Sequence, residues 1–294
     1  MAARDLNKVP PLVVICGPTA SGKTSLAIDL AKRHKGEIIC ADSRTIYKGM
    51  DIGTAKPTID EQAVVPHWGL DLVEPGERFT AADFKRYADE KIKEIRARGH
   101  VPFLVGGTGL YVDAVVFNFS FAGEADVKLR QQFEDMTIDE LHDYCNENNI
   151  VLPENDKNKR YVIRTIERST APKHRKNEPL STSVIVGIAT DRAVLRQRIE
   201  KRTEQIFDDN VVNEAMLLGK KYGWSNEAMT GNIYPLIRRY LEGELNLEEA
   251  KDKFTTLDWR LAKRQLTWLR RNPYIQWHSL TEAKTYLDNV LANE

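Results

Sequence analysis

Apolar residues in the first half of the chain follow two rhythms. Leu12-Val13-Val14-Ile15-Cys16 is a continuous apolar run, the pattern of a strand buried on both faces in a parallel sheet. Beyond Lys23, the pairs Leu26/Leu30 and Ala27/Ala31 repeat at helical spacing. A second strand is expected over 37–41, ending at Asp42. Thr80-Ala81-Ala82-Asp83 reads as a capping-box start, and the helix it opens carries Phe84, Ala88, Ile92 and Ile95 on one face until Gly99. The run 101–105 predicts another strand, followed by Gly106-Gly107-Thr108-Gly109. A later strand is expected over 183–189, and a charged helix from Asp191. Strand–helix alternation implies an α/β fold, a parallel sheet covered by helices. From about Asp208 the pattern predicts helix throughout, with loop signals at Gly223, Gly231, Gly243 and Asn272-Pro273.

Between Phe119 and Leu180 the rhythm breaks. The segment is acidic first and basic afterwards, which suggests a small helical insertion. The expected organisation is a first part of the core over 1–118, the insertion over 119–180, and 181–294 completing the core with C-terminal helices. A length of 294 residues fits one core with a subdomain. The 43 basic and 43 acidic residues cancel, yet the balance is uneven along the chain. Lys157 to Lys176 holds eight Lys or Arg against Glu167 alone, and Trp259 to Arg271 holds five basic residues and no acid. Glu124 to Glu147 holds eight acids. Basic blocks of this kind suit a polyanion, or simply a solvated helix face. No apolar run approaches the roughly 20 residues of a membrane span, and the first eight residues lack the apolar stretch of a signal peptide. Cys16, Cys40 and Cys145 lie far apart without a CxxC, so neither a disulfide framework nor a zinc cluster is expected. A cytoplasmic location follows as the expectation.

Gly17-Pro18-Thr19-Ala20-Ser21-Gly22-Lys23-Thr24 has the complete spacing of a phosphate-binding loop, between a strand and a helix. Its glycines let backbone N–H groups turn inward and a phosphate approach closely. The helix start adds a positive dipole end, Lys23 a point charge, and the Thr24 hydroxyl a ligand for Mg2+. The usual occupant is a nucleoside triphosphate such as ATP, but any pyrophosphate ester fits the same cradle.

Other candidates surround this loop. Asp42, at a strand end where ligands gather in open parallel sheets, can bind Mg2+, accept a proton or cap a turn with Ser43. The Gly106–Gly109 run follows another strand end and faces the same cleft, or is only a tight turn. Arg198 and Arg202 share a helix face, suited to clamping a diphosphate or to surface ion pairs. In Lys263-Arg264-Gln265-Leu266-Thr267-Trp268 the cations and Trp268, with Trp259 nearby, can meet a nucleic-acid backbone and stack on a base; otherwise the apolar residues are core and the cations a wet face. His67 lacks a metal-like partner and reads as structural.

Three stretches together resemble the tRNA dimethylallyltransferase family, also called tRNA isopentenyltransferases. They are the phosphate loop with Ala41-Asp42-Ser43-Arg44-Thr45-Ile46-Tyr47-Lys48-Gly49-Met50-Asp51-Ile52-Gly53-Thr54-Ala55-Lys56-Pro57, then Leu104 to Tyr111, then Ala262 to Trp268. Their order and spacing extend the resemblance from Pro11 to Trp277. It implies a P-loop NTPase-like core and transfer of a dimethylallyl group from its diphosphate to the exocyclic amine of an adenosine beside the tRNA anticodon. It also implies Mg2+ as cofactor, the tRNA anticodon stem-loop and dimethylallyl diphosphate as partners, and a chain acting as a monomer. By the same resemblance Asp42 is the general base and Thr19 to Thr24 hold the donor. Asp42, Ser43, Arg44, Thr45, Thr108 and Arg130 meet tRNA, as does the stretch containing Asn158, Arg160 and Arg164. The Lys263, Arg264, Gln265 and Trp268 run joins them. The chain departs from the family pattern at Thr45, where Gln is common, and at Trp68, where a second His is usual. It departs again at Trp259 and Leu261, and at Ile233 to Leu236.

The chemistry suits these residues. An adenine amine is a weak nucleophile, and a carboxylate that takes its proton removes charge as the bond forms. Lys23, Mg2+ at Thr24, loop N–H groups and Arg198 or Arg202 can stabilise a leaving diphosphate. The base would have to leave its stack to reach the donor. A phosphate-loop kinase for a small molecule or nucleotide is the chief alternative, and a nucleotide-switched RNA-binding module the third.

Overall fold

The computed structural model describes residues 9–121, 127–169, 178–208 and 210–292. Glu124 and Asp126 of the acidic block, and Lys173, Arg175 and Lys176 of the basic one, lie outside the described residues. The chain divides into two compact units, Met1–Phe117 with Glu178–Glu294, and Asn118–Asn177.

The larger unit is built on one six-stranded parallel sheet. Its strands are β1 (Leu12–Cys16), β2 (Gly36–Cys40), β3 (His67–Trp68), β4 (Val101–Gly106), β5 (Ser183–Ile188) and β6 (Gln276–His278), in the order β3-β2-β4-β1-β5-β6. The central strand β1 pairs Val13 with Phe103 on β4 and with Val184 on β5. All five β1 residues are buried, which is why its sequence runs apolar rather than alternating. Helices α1 (Lys23–Arg33), α2 (Ile59–Val64), α3 (Ala81–Ala97) and α4 (Gly109–Val116) follow or precede the first strands. On α3 the expected capping box is present: the Asp83 N–H donates to the Thr80 hydroxyl and the Thr80 N–H to the Asp83 carboxylate. Its buried face is Phe84, Ala88, Ile92 and Ile95.

The expectation of helix throughout after Asp208 is corrected by β6. The helices α8 (Arg192–Asp208), α9 (Val211–Tyr222), α10 (Tyr234–Leu241) and α11 (Leu247–Leu269) lead into this strand, and α12 (Leu280–Ala292) follows it. Three residues are too few to show an alternation. What makes them a strand is pairing with β5, where Gly187 lies opposite Trp277 and leaves room for its ring.

Apolar clusters among the described residues support this unit. One joins the sheet to α1 and α12 through Val13, Leu30, Phe103, Val186 and Leu287. Another joins the segment after β2, through Ile46, Tyr47 and Met50, to Ala215, Tyr234 and Phe254 of the C-terminal helices. That segment is also held by polar bonds. Glu214 on α9 accepts from the N–H groups of Asp51, Ile52 and Gly53 at 2.8, 2.7 and 2.9 Å, and from the Tyr234 hydroxyl. The buried Lys56 ammonium reaches Asp51, Asp71 at 2.6 Å and the Tyr47 carbonyl. The long family-like stretch 41–57 is thus an irregular loop whose backbone groups are satisfied partly by side chains and partly by other backbone groups.

The smaller unit contains α5 (Val127–Asp135), α6 (Ile138–Glu147) and α7 (Lys159–Ser169) around Phe133, Leu141, Cys145, Val162, Ile163 and Ile166. Among the described residues no helix is long and apolar enough to cross a membrane.

Glu214→Ala removes one acceptor from four donors at once. We expect it to lower the unfolding free energy by about 3 kcal/mol, and Glu214→Gln by about 1 kcal/mol, in urea titrations. Equal stability of the alanine variant and the parent would show that solvent satisfies the loop without Glu214.

Candidate functional site

The site is assembled at the carboxyl ends of β1, β2 and β4. After Cys16 the chain turns through the phosphate loop, where the Ser21 N–H donates to the Pro18 carbonyl at 3.3 Å. Gly22, at φ 89°, is the cap residue of α1 and gives it no side-chain cap. The first N–H groups of α1 therefore keep their capacity for an anion. Ala20 adopts φ 59°, a left-handed conformation costly for a residue with a Cβ. Its methyl packs against Leu195, Ile199 and Ala262, with Trp259 and Leu266 beside them, so packing from α8 and α11 holds the strained turn. The buried Ser21 hydroxyl has no partner among the described residues.

Lys23 lies at the start of α1, its Nζ donating to the Pro18 carbonyl at 3.0 Å. Burial pushes its ammonium down to about 8, and Arg202 pushes the same way, while the charge of Asp42 opposes them. The Lys23 cation and the Asp42 carboxylate thus feel each other within one site.

Asp42 follows β2 and is half-buried. Its Oδ1 accepts from the Arg44 N–H at 2.8 Å, so the carboxylate does cap a turn, at Arg44 rather than at Ser43. Its Oδ2 has no partner among the described residues, and one oxygen remains available to a substrate. The Ser43 N–H donates to the Thr108 hydroxyl at 3.1 Å, and the Thr108 N–H to the Ala41 carbonyl at 3.2 Å. A Cβ on Gly106 would stand 2.0 Å from the Ala41 oxygen; glycine is what lets the ends of β2 and β4 close together. Thr108 spends its hydroxyl on Ser43, so α4 also begins without a side-chain cap. Thr45 is buried, its hydroxyl turned back to the Asp42 carbonyl at 3.5 Å. Arg44 is half-buried.

Helices α8 and α11 grip the loop from the other side. Arg198 donates to the Ser21 carbonyl at 3.1 Å. Arg202 donates through one nitrogen to the Thr19 hydroxyl and to Asp258 Oδ2, the latter at 3.2 Å. The two arginines paired by spacing do meet at the phosphate loop. Asp258, which the sequence reading missed, is 4% exposed and also accepts from Asn232 at 3.3 Å. Its signal was present: it interrupts the stripe Ala250, Phe254, Ala262 on the buried face of α11, where an isolated charge needs a partner. Gln265 accepts from the Thr19 N–H at 2.8 Å. Lys263 and Arg264 are exposed. The Trp259 ring lies under Lys263 at 6.0 Å and Arg192 at 5.6 Å. Trp268 is exposed on one side, while its indole N–H donates to Asp113 at 2.8 Å and its ring fills the space over Gly109. His67 is part of β3, its Nδ1 on the Val65 carbonyl.

The remaining candidates belong to the smaller unit. Arg130 pairs with Glu134 at 2.8 Å and Glu167 at 3.0 Å, and Arg164 pairs with Glu167 at 3.2 Å. The Asn158 side chain accepts from the Arg160 N–H at the start of α7.

The arrangement offers a cationic cup, two uncapped helix starts and one carboxylate oxygen free for a proton. A diphosphate suits the cup. For a metal, no group of three or more His, Cys, Asp or Glu side chains converges among the described residues. Thr24, half-buried in the first turn of α1, can supply one hard oxygen. That fits Mg2+, which takes few protein ligands and completes its shell with phosphate oxygens and water.

The chain is similar to known proteins over nearly its whole length. Residues 45–272 match the family described as IPP transferase, and residues 10–65 the one described as isopentenyl transferase. The chain is 38% identical to the tRNA dimethylallyltransferase of Bacillus licheniformis over 94% of its length and 93% of that protein's. It is 40% identical to that of Acetivibrio thermocellus, covering 90% of each. The crystal structure of the full-length tRNA isopentenylpyrophosphate transferase of Bacillus halodurans superposes with TM-score 0.73 at 36% identity, over 96% of this chain and 97% of that one.

Because the free Lys23 loses its proton near pH 8, an anion that restores the charge must draw a proton from solution above that pH. Calorimetry near pH 9 with sulfate, an anion that does not itself titrate there, in buffers of different ionisation enthalpy, should register uptake approaching one proton. Uptake should decline as pH falls below about 8 and vanish in Lys23→Gln. Proton-neutral binding near pH 9 would show that burial does not hold the Lys23 ammonium down at about 8.

Proposed function

The chain belongs to the tRNA dimethylallyltransferase family, and from that premise we propose that it transfers a dimethylallyl group from dimethylallyl diphosphate to the exocyclic amine of the adenosine 3′ of the tRNA anticodon, giving isopentenyladenosine. Prenyl transfer to tRNA is the activity of the family. The position modified, the donor and the residue roles are this proposal's own. The phosphate-loop kinase alternative finds no support among the relatives, which carry the transferase name.

The observation that carries the reading is a phosphate loop bonded by Lys23, Arg198 and Arg202, with the singly capped Asp42 carboxylate at the neighbouring strand end. The donor's diphosphate occupies the cup of loop N–H groups, with Lys23, Arg198 and Arg202 around it. As the allylic C–O bond breaks, the electron pair stays with diphosphate, and these cations stabilise the added charge. The adenine nitrogen forms the new C–N bond, and its proton passes to Asp42 Oδ2. The Arg44 N–H on Oδ1 fixes the orientation of the carboxylate. The Thr24 hydroxyl would help hold Mg2+, which would supply further positive charge to the leaving group. Exposed Lys263 and Arg264, and the Trp268 face, offer contacts to tRNA phosphates and bases, as do Arg130, Asn158, Arg160 and Arg164.

The decisive experiment incubates unmodified tRNA with dimethylallyl diphosphate and Mg2+ and weighs the nucleosides. An adenosine heavier by one prenyl group is expected; its absence, with ATP consumed instead, would return the kinase reading. Asp42→Asn keeps an acceptor for the Arg44 N–H but cannot take up the proton. Turnover should fall by about 10²–10⁴-fold, with donor affinity nearly unchanged and the Mg2+ requirement where it was. Recovery of the rate at high Mg2+ would make Asp42 part of the metal site instead.

A further inference from the structure

Gln265 sits in a run whose other polar members, Lys263, Arg264 and Thr267, are exposed, whereas Gln265 is half-buried. It falls on the inward face of α11 with Ala262 and Leu269. Its carboxamide oxygen accepts from the Thr19 N–H at 2.8 Å. Its amide nitrogen occupies space over Gly107: a Cβ on that glycine would come within 2.4 Å of Nε2. One residue of α11 thereby touches both glycine-rich loops of the site. Two turns earlier on the same face, Asp258 holds Arg202, which bonds the Thr19 hydroxyl. Thr19 is gripped at its backbone and at its side chain by one helix, directly through Gln265 and indirectly through Arg202.

We propose that Gln265 is a positioning residue for the diphosphate site, acting through the Thr19 amide, and that it does not serve as a contact to nucleic acid. The inference rests on the reading of the loop as a prenyl diphosphate site. Its physical basis is the strained turn that follows Thr19. Ala20 stays at φ 59° only while its neighbours over-determine it. The apolar packing of its methyl is one restraint, the Arg202 and Arg198 bonds to Thr19 and Ser21 add to it, and the Gln265 bond fixes the preceding amide. Without that bond the nearly buried Thr19 leaves an amide unsatisfied, and the loop relaxes away from the shape that fits a diphosphate. Lys23 and the start of α1 stay in place, so the loss falls on donor binding.

Gln265→Met keeps length and volume but has no carboxamide oxygen. Against the wild type, its KM for dimethylallyl diphosphate and its Kd for inorganic diphosphate should rise about tenfold, with kcat changed less and tRNA Kd within about twofold. Hydrogen exchange at the Thr19 amide should accelerate by a similar factor, while β1 keeps its protection. Gln265→Asn, one methylene too short to reach Thr19, should behave alike and covers the case in which the methionine variant folds poorly. An unchanged donor KM overturns the proposal, and a rise in tRNA Kd alone would return Gln265 to the nucleic-acid face. Wild-type protein that shows no saturable binding of dimethylallyl diphosphate would overturn the donor reading itself, a failure visible before any variant is compared.

Discussion

Positive charge withdrawn from water has to be balanced, and the architecture around the phosphate loop follows from that constraint. Lys23, Arg198, Arg202 and the uncapped start of α1 all converge there. The balance inside the protein is partial. Asp258 neutralises Arg202 from behind, and Asp42 acts on Lys23 from the side. Lys23 still lies well below the ordinary lysine range because burial outweighs what Asp42 returns. A dianionic or trianionic ligand completes the balance. An enzyme that releases diphosphate in its chemical step benefits from this arrangement, since the charge arriving on the leaving group meets cations already in place.

The second requirement is that the carboxylate be near this cup without neutralising it. Backbone geometry enforces the separation. Asp42 emerges from β2, one strand removed from β1, with β4 between them. The close approach at Gly106 and the Ser43–Thr108 bond fix the end of β2 against β4. The Arg44 N–H then ties down one carboxylate oxygen. The loop beyond is irregular, yet Glu214 and Lys56 satisfy its backbone and its charges. Residues distant from the chemistry thus set where Asp42 stands.

Much of this was legible in the chain because it depends on local pattern. The buried strands declared themselves as apolar runs, the loop by its glycine and lysine spacing, and α3 by its capping box. Arg198 and Arg202 were found by helical spacing, although spacing could not reveal that they bond the loop itself. What stayed hidden depends on long-range pairing. β6 is a strand because Gly187 makes room for Trp277, and no window along the sequence contains both residues. The Gln265 bond to Thr19 spans 246 positions, and the neighbours of Gln265 in a basic run gave no sign of it. Arg130 and Arg164 were named through the family resemblance alone, which could not reveal that Glu134 and Glu167 pair with them.

The departures from the family pattern sort by the same logic. Trp68 stands at the edge of the sheet, where its indole N–H donates to Glu37 at 2.7 Å. Glu37 is almost wholly buried, and burial alone would raise its carboxyl; hydrogen bonds from Arg98, His100 and Trp68 outweigh that and hold it below the usual carboxylate range. Trp68 therefore belongs to a closed polar cluster built around strand β2. Trp259 supports Ala20 of the phosphate loop while Arg192 and Lys263 lie over its ring, so an aromatic at that position adds packing behind the strained turn. Both tryptophans bring their own partners, and neither touches Lys23 or Asp42. Thr45 differs, because its side chain folds back within the turn that carries Asp42, whereas Trp68 is one of the donors to the buried Glu37. Of these departures, Trp68 and Trp259 are accounted for by their own partners, and Thr45 alone shares a turn with the Asp42 carboxylate.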